Sequence, residues 1–163
     1  MRLAADEMLR GLGRWLRVAG HDTLIAEPGE EDKALLARSR VEGRVLLTRD
    51  RALAERAGPD VMWLRAVGLD DAAQELRDRL GLDWCLAPFT RCLVDNAALS
   101  EAGPEATQAL PPRARVLGGP LRRCPACGRL YWPGSHVRRM QARLDAWAMH
   151  APGSCDPGRR MEK

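Results

Sequence analysis

Lysine is almost missing from this chain. Lys33 and Lys163 are the only two, so its positive charge is carried by arginine. A general preference for Arg over Lys explains that content without invoking function, but it does not explain where the arginines fall. Long hydrophobic runs are missing too. No stretch approaches the ~18 apolar residues of a membrane span, which excludes a spanning helix as the organising element. No charged-then-apolar leader opens the chain, so the expected location is cytoplasmic. Cysteine is scarce and odd in number, with five residues at 85, 92, 124, 127 and 155. That count, with one close pair, argues against a disulfide framework and for thiols that meet a metal. There is no internal repeat and no low-complexity tract.

What is present fits one ordinary domain, or a small domain with an appendage, in 163 residues of which 45% are apolar. Charge divides the chain. Residues 1–83 carry 14 Arg and Lys against 16 Asp and Glu, a net −2; residues 84–163 carry 12 against 6, a net +6. An acidic front and a basic back suggest a catalytic or metal-binding half beside a half that binds polyanions.

The first half reads as alternating strands and helices. Short apolar runs at 2–5, 22–26, 45–48 and 61–64 are strand candidates. Helical spacing joins Met8, Leu12, Trp15, Leu16 and Ala19, then recurs from Asp32, from Arg51 and over 70–80. The order βαβαβαβα predicts a small parallel sheet flanked by helices over residues 1–83. Beyond Gly81, prolines, glycines and cysteines take over. Residues 104–120 lack periodicity and read as loop or irregular hairpin. Residues 84–150 are expected to form a zinc-ribbon-like β module, which needs a staple, ending in a helix from about His136 to Met149. Residues 151–163 are expected to be a disordered tail.

Three groups of residues carry chemistry. The first is acidic. Asp6 and Asp50 follow strands, and Asp32 opens a helix. In open α/β sheets ligands lie outside the carboxyl ends of the strands. Three such carboxylates gathered in one crevice would hold Mg²⁺ or Mn²⁺, which bind carboxylates, waters and substrate phosphate. Taken singly, each acid reads equally as a helix cap or first-turn residue. The second group pairs Cys92-Leu93-Val94-Asp95 with Cys124-Pro125-Ala126-Cys127-Gly128. Two C-x₂-C knuckles make a tetrahedral zinc ribbon, and here Asp95 stands where the fourth cysteine would be. Either Cys92, Asp95, Cys124 and Cys127 ligate zinc, or the cysteines are merely buried in a ribbon that has lost its metal. Cys85 and Cys155 fall outside knuckle spacing and read as bystanders. The third group is Tyr131-Trp132-Pro133-Gly134-Ser135-His136 beside Arg122, Arg123, Arg129, Arg138 and Arg139. Aromatics could stack on bases while arginines hold phosphates. Packing against the sheet domain is the simpler account of Trp132, and His136 fits either a helix cap or a ligand contact.

With these residues on the page, the chain resembles the Mut7-C RNase family. The resemblance rests on Leu46-Leu47-Thr48-Arg49-Asp50, the Gly11-to-Thr23 stretch, the Arg91-Cys92 knuckle, the CPACG knuckle and YWPGSH, and spans roughly residues 1–147. It implies a PIN-like domain followed by a zinc ribbon, and a metal-dependent ribonuclease. Asp6, Asp32 (with Glu31 before it) and Asp50 match the family's acids, whereas Asp95 departs from its cysteine. The implied function is an endoribonuclease that uses Mg or Mn at Asp6, Asp32 and Asp50. Zn is possible in the ribbon. Arg49 would contact a phosphate, and Arg122, Arg123, Arg138 and Arg139 would hold flanking RNA. The alternatives are a non-catalytic RNA- or ribosome-binding module, and a protein-interaction subunit.

Overall fold

The computed structural model describes residues 1–116 and 118–149. The expected tail, and Cys155 within it, lie outside the described residues. Four parallel strands, β1 (Arg2–Ala5), β2 (Asp22–Ile25), β3 (Val45–Thr48) and β4 (Val61–Trp63), form one sheet in the order β2-β1-β3-β4. Between and after them come α1 (Arg10–Val18), preceded by a 3-10 turn at Glu7–Leu9, then α2 (Asp32–Val41), α3 (Arg51–Ala57) and α4 (Leu69–Leu80).

The alternation of side chains along each strand sorts this sheet into two faces. Leu3, Ala5 and Leu47 point to one face, where Leu12 and Leu16 of α1 and Ala72, Ala73 and Leu76 of α4 cover them. Ala4 and Leu46 point to the other, under Leu35 of α2 and Leu53 and Ala57 of α3. Leu3, Ala4, Ala5, Leu46 and Leu47 are fully buried, as expected of a parallel sheet with both faces covered.

Two glycines in the Gly11-to-Thr23 stretch are dictated by close approach. A Cβ on Gly13 would lie 2.8 Å from Ile25, so its absence lets α1 lie down on β2. Gly20 has φ +97°, and a Cβ there would meet the Ala87 carbonyl oxygen at 2.2 Å. That contact lets the chain leaving the sheet domain run back against the end of α1, where Ala87 N–H donates to Ala19 O and Phe89 N–H to Val18 O.

The second half holds a three-stranded antiparallel sheet, β5 (Ser100–Glu101), β6 (Arg122–Arg123) and β7 (Leu130–Tyr131), in that order. Residues 104–120, expected as loop, contain a 3-10 turn at Pro104–Ala109 and a short helix α5 (Pro112–Arg115). Each begins on proline, whose fixed φ suits a first helical position. Helix α6 (Ser135–Ala148) closes the described chain. Leu144 and Trp147 of α6 join the core of the sheet domain, together with Leu82, Trp84 and Cys85. Trp147 meets Trp15 edge to face and Trp84 at a tilt, with centroids 4.9 and 4.7 Å apart, and its Nε1 donates to Asp70. The two-residue strands thus lie between segments fastened to the sheet domain at both ends. No helix among the described residues is long and apolar enough to cross a membrane.

Candidate functional site

In the order β2-β1-β3-β4 the chain leaves β1 toward one edge and β3 toward the other. The strand order therefore reverses between β1 and β3, which is where open α/β sheets form a ligand crevice. Asp6 and Asp50 stand at the carboxyl ends of these two strands. The sheet ladder continues to Asp6, whose N–H donates to Leu47 O. Its carboxylate is 7% exposed and meets three donors: Leu9 N–H at 2.9 Å on Oδ1, and Thr48 Oγ1 at 2.6 Å and Arg49 N–H at 3.3 Å on Oδ2. Thr48 Oγ1 in turn accepts from Asp50 N–H at 2.9 Å. The hydroxyl is therefore a bridge between the two strand ends. Asp50 Oδ1 accepts from Leu53 N–H at 3.0 Å and caps α3.

Asp32 is an exposed first-turn residue of α2, beside a groove shared with Lys33, Arg40 and Arg56. The structure brings Asp6 and Asp50 to neighbouring strand ends, linked through Thr48. The three acids do not converge as a ligand group. A closed three-carboxylate cage is not the arrangement seen. Mg²⁺ is often held by only one or two carboxylates, with water and phosphate filling the remaining positions. Asp50, half-buried with one oxygen on its cap, and Asp6 beside it fit that simpler pattern. Arg49 lies at the same strand end. Its guanidinium donates to Val67 O, while its Nε is buried without a partner.

The ribbon is different. Among the described residues one group of three or more His, Cys, Asp or Glu side chains has converging ligand atoms: Cys92, Asp95, Cys124 and Cys127, all within 4.8 Å of one another. The first knuckle is a turn in which Cys92 N–H donates to Ala97 O and Asn96 N–H to Cys92 O, with Asn96 at φ +68°. The second lies between β6 and β7, closed by Gly128 N–H to Cys124 O, with Gly128 at φ +72°. A tetrahedral zinc with ~2.3 Å bonds to sulfur sets sulfurs about 3.8 Å apart, and oxygen somewhat closer to sulfur. Cys92 Sγ lies 3.7 Å from Cys127 Sγ, and Cys124 Sγ lies 3.2 Å from Asp95 Oδ1. The donor set and spacing fit zinc.

The carboxyl and the thiols act on one another. Burial pushes Asp95 up, but thiol hydrogen bonds from Cys127, Cys92 and Cys124 outweigh it and hold the carboxyl at about 2. The same Asp95 contact pushes the Cys127 thiol up to about 12. Burial also raises Cys92, but the Tyr131 hydroxyl at 3.1 Å and backbone N–H groups more than offset this, favouring its thiolate. Tyr131 Oη accepts from Leu93 N–H as well, so it tethers the first knuckle to β7. Among the described residues the free thiols are these three; Cys85 is buried in the core and is not one of them.

The expected RNA-binding arginines are scattered. Arg123 of β6 and Arg138 and Arg139 of α6 are exposed, whereas Arg122 donates to Phe89 O beside an apolar groove. His136 is exposed, and Trp132 is half-buried along that groove. Residues to which the sequence gave no such role also matter here. Thr48 links the two acids, Tyr131 buttresses Cys92, and Arg17 donates to Leu93 O and Val94 O of the first knuckle at 3.0 and 2.7 Å. Thr48 lies inside the Thr-Arg-Asp run and was within reach of inspection. Arg17 gave no signal, because its partners are carbonyls 76 and 77 residues away.

A family model described as Mut7-C RNAse domain matches residues 1–144. No curated protein and no solved structure matches the chain.

Proposed function

Because the chain belongs to the Mut7-C RNAse domain family, we propose that it is a metal-dependent endoribonuclease whose reaction takes place in the crevice between β1 and β3. Family membership supports a ribonuclease-related role and RNA as the substrate class. The observation that carries the finer reading is the pairing of Asp6 and Asp50 at the strand-order reversal, joined through Thr48.

Asp50 and Asp6 would hold a Mg²⁺ or Mn²⁺ ion, with Asp32 the third acid of the set. When bound, such an ion supplies positive charge to a phosphodiester and acidifies a water molecule. The chain's own residues do the rest. Asp6, fixed by three donors, holds the 48–50 turn in place. Thr48 positions Asp50 through its backbone N–H. Arg49, next to Asp50 at the same strand end, would meet a phosphate oxygen. In the ribbon, Cys92, Asp95, Cys124 and Cys127 would hold zinc as a structural ion, and the exposed Arg123, Arg138 and Arg139, with Arg122, would contact flanking phosphates.

A second reading has its own support. Asp6 and Asp50 both serve as caps, and no three-acid group converges, which suits a non-catalytic RNA-binding module that keeps the acids for folding. Incubating the native chain with single-stranded RNA, with and without Mg²⁺ or Mn²⁺, separates the two. Internal cleavage that needs the added ion supports the nuclease. Binding without cleavage under every ion condition supports the module.

A further inference from the structure

The division of charge points to the second half for RNA contacts, yet the densest group of guanidiniums lines a cleft drawn mainly from the first half. Between the edge strand β2 and the first knuckle lies a cleft of about 660 Å³, bordered by Arg10, Arg14, Arg17, Arg38 and Arg44 with Glu27 and Asp95 as its carboxylates. Two of the five arginines are neutralised in place. Arg44 pairs with Asp22 and Glu42, and Arg38 with Glu30. The other three are not. Arg10 donates to Ala26 O, and Arg17 to the carbonyls of Thr23, Leu93 and Val94. A carbonyl satisfies an N–H but cancels no net charge. Arg14 is exposed on α1 and makes no hydrogen bond or ion pair with the described residues. Of the carboxylates, Asp95 is turned to the thiols, leaving Glu27 as the opposing charge.

The cleft also leads somewhere. Arg14, Leu93 and Val94 border a second cleft of about 820 Å³ that continues to Arg129, Tyr131 and Trp132 on the ribbon. At its other end, Arg10 follows directly on the turn capped by Asp6. A charged groove running from Arg10 to the ribbon's aromatics suits a single strand, whose phosphates follow guanidiniums while its bases stack. We propose that this cleft is the backbone track for single-stranded RNA, with Arg10 and Arg14 on neighbouring phosphates, Arg17 beneath them as fixed charge, and a base against Trp132. The proposal rests on the ribonuclease reading above and adds the path by which RNA reaches the acids.

The test is the salt dependence of binding of a labelled single-stranded RNA of mixed sequence to the full chain, in the Asp50→Asn background so that the RNA stays intact. Each phosphate contact on a single strand contributes about 0.7 to the slope of log affinity against log salt. Arg14→Ala should lower the slope by about 0.7, and Arg10→Ala with Arg14→Ala by about twice that. Arg14→Lys should restore it, since the charge returns. Arg14 has no described partner, so its substitution should leave the melting curve in place, and a lost slope cannot then be misfolding. A native slope in the double variant overturns the track and leaves the ribonuclease reading standing. Failure of the parent chain to bind RNA at any salt overturns both.

Discussion

The strand-end crevice and the ribbon both present acidic or thiol ligands, and they are built in opposite ways. In the crevice, backbone N–H groups and one hydroxyl satisfy Asp6, and Asp50 caps a helix. Its supports are the buried residues of β1 and β3 and two hydrophobic faces. In the ribbon, strands are two residues long and the side chains of the four candidate ligands turn toward each other. The strand ends are held by their fold, so an ion bound there would be a working part. The ribbon has little core of its own, so an ion bound there would be part of its fold.

The largest expected effect is loss of the ribbon's ligand set. Cys124→Ser removes a fully buried thiol from the group that would hold zinc, and zinc binding is folding free energy on the order of 10 kcal/mol in small zinc modules. Hydrogen exchange should show residues 91–98 and 122–131 losing protection while β1 to β4 keep theirs. Equal loss in both halves would erase the contrast drawn above.

The two aspartates should separate next. In Asp6→Asn an amide N–H₂ has to face Thr48 and the Arg49 N–H, leaving a buried donor unmet at a cost of about 1–3 kcal/mol. Asn caps a helix as well as Asp does, so Asp50→Asn should fall within a few tenths of a kcal/mol of native. Denaturant unfolding of both variants measures the gap, and equal losses would mean that Asp50 is structural too.

Asp95→Cys should sharpen the ribbon. A fourth thiolate in place of a carboxylate should raise zinc affinity at least tenfold, about 1.4 kcal/mol, and raise the melting temperature by about 2–4 °C. Metal analysis and thermal melts read both. If neither moves, Asp95 is not at a ligand position.

The mildest effect is of pH on the junction of the two halves. His21 is buried with Nε2 on Asp83 O, and burial lowers its pKa despite that contact. The unfolded chain therefore takes up the proton first, and stability is lost as pH falls below about 6.5 toward the folded value. Asp22 joins Arg44, Arg2 and Asn96 of the first knuckle. Burial raises it, but the hydrogen bonds from Arg44, Asn96 and Arg2 outweigh this and hold it well below the usual carboxylate range. Its contribution is full above about pH 4 and lost below that. Melting temperatures against pH should show two descents, and His21→Gln should remove the upper one.

Much of this was legible in the sequence because it is local. Apolar runs marked β1 to β4, and the Cys-Pro-x-Cys-Gly spacing located the second knuckle. Register was not legible, and register is what places Asp6 beside Thr48 and leaves Asp32 at the start of α2 as an exposed residue. Nor was the course of Arg10, Arg14 and Arg17. Only tertiary packing shows that they face the knuckle across β2. Leu144 and Trp147 carried a face at helical spacing, and the structure shows that face closing the core over α4.

The central claim is that the charge of Asp50 serves chemistry, while its cap on α3 needs only the side-chain oxygen. Cleavage of a single-stranded RNA by the native chain and by Asp50→Asn, in the presence of Mg²⁺ or Mn²⁺, tests it most directly. The account predicts internal cuts by the native chain and none by the variant, with RNA affinity and melting temperature unchanged between them. Cleavage by Asp50→Asn at the native rate would contradict it.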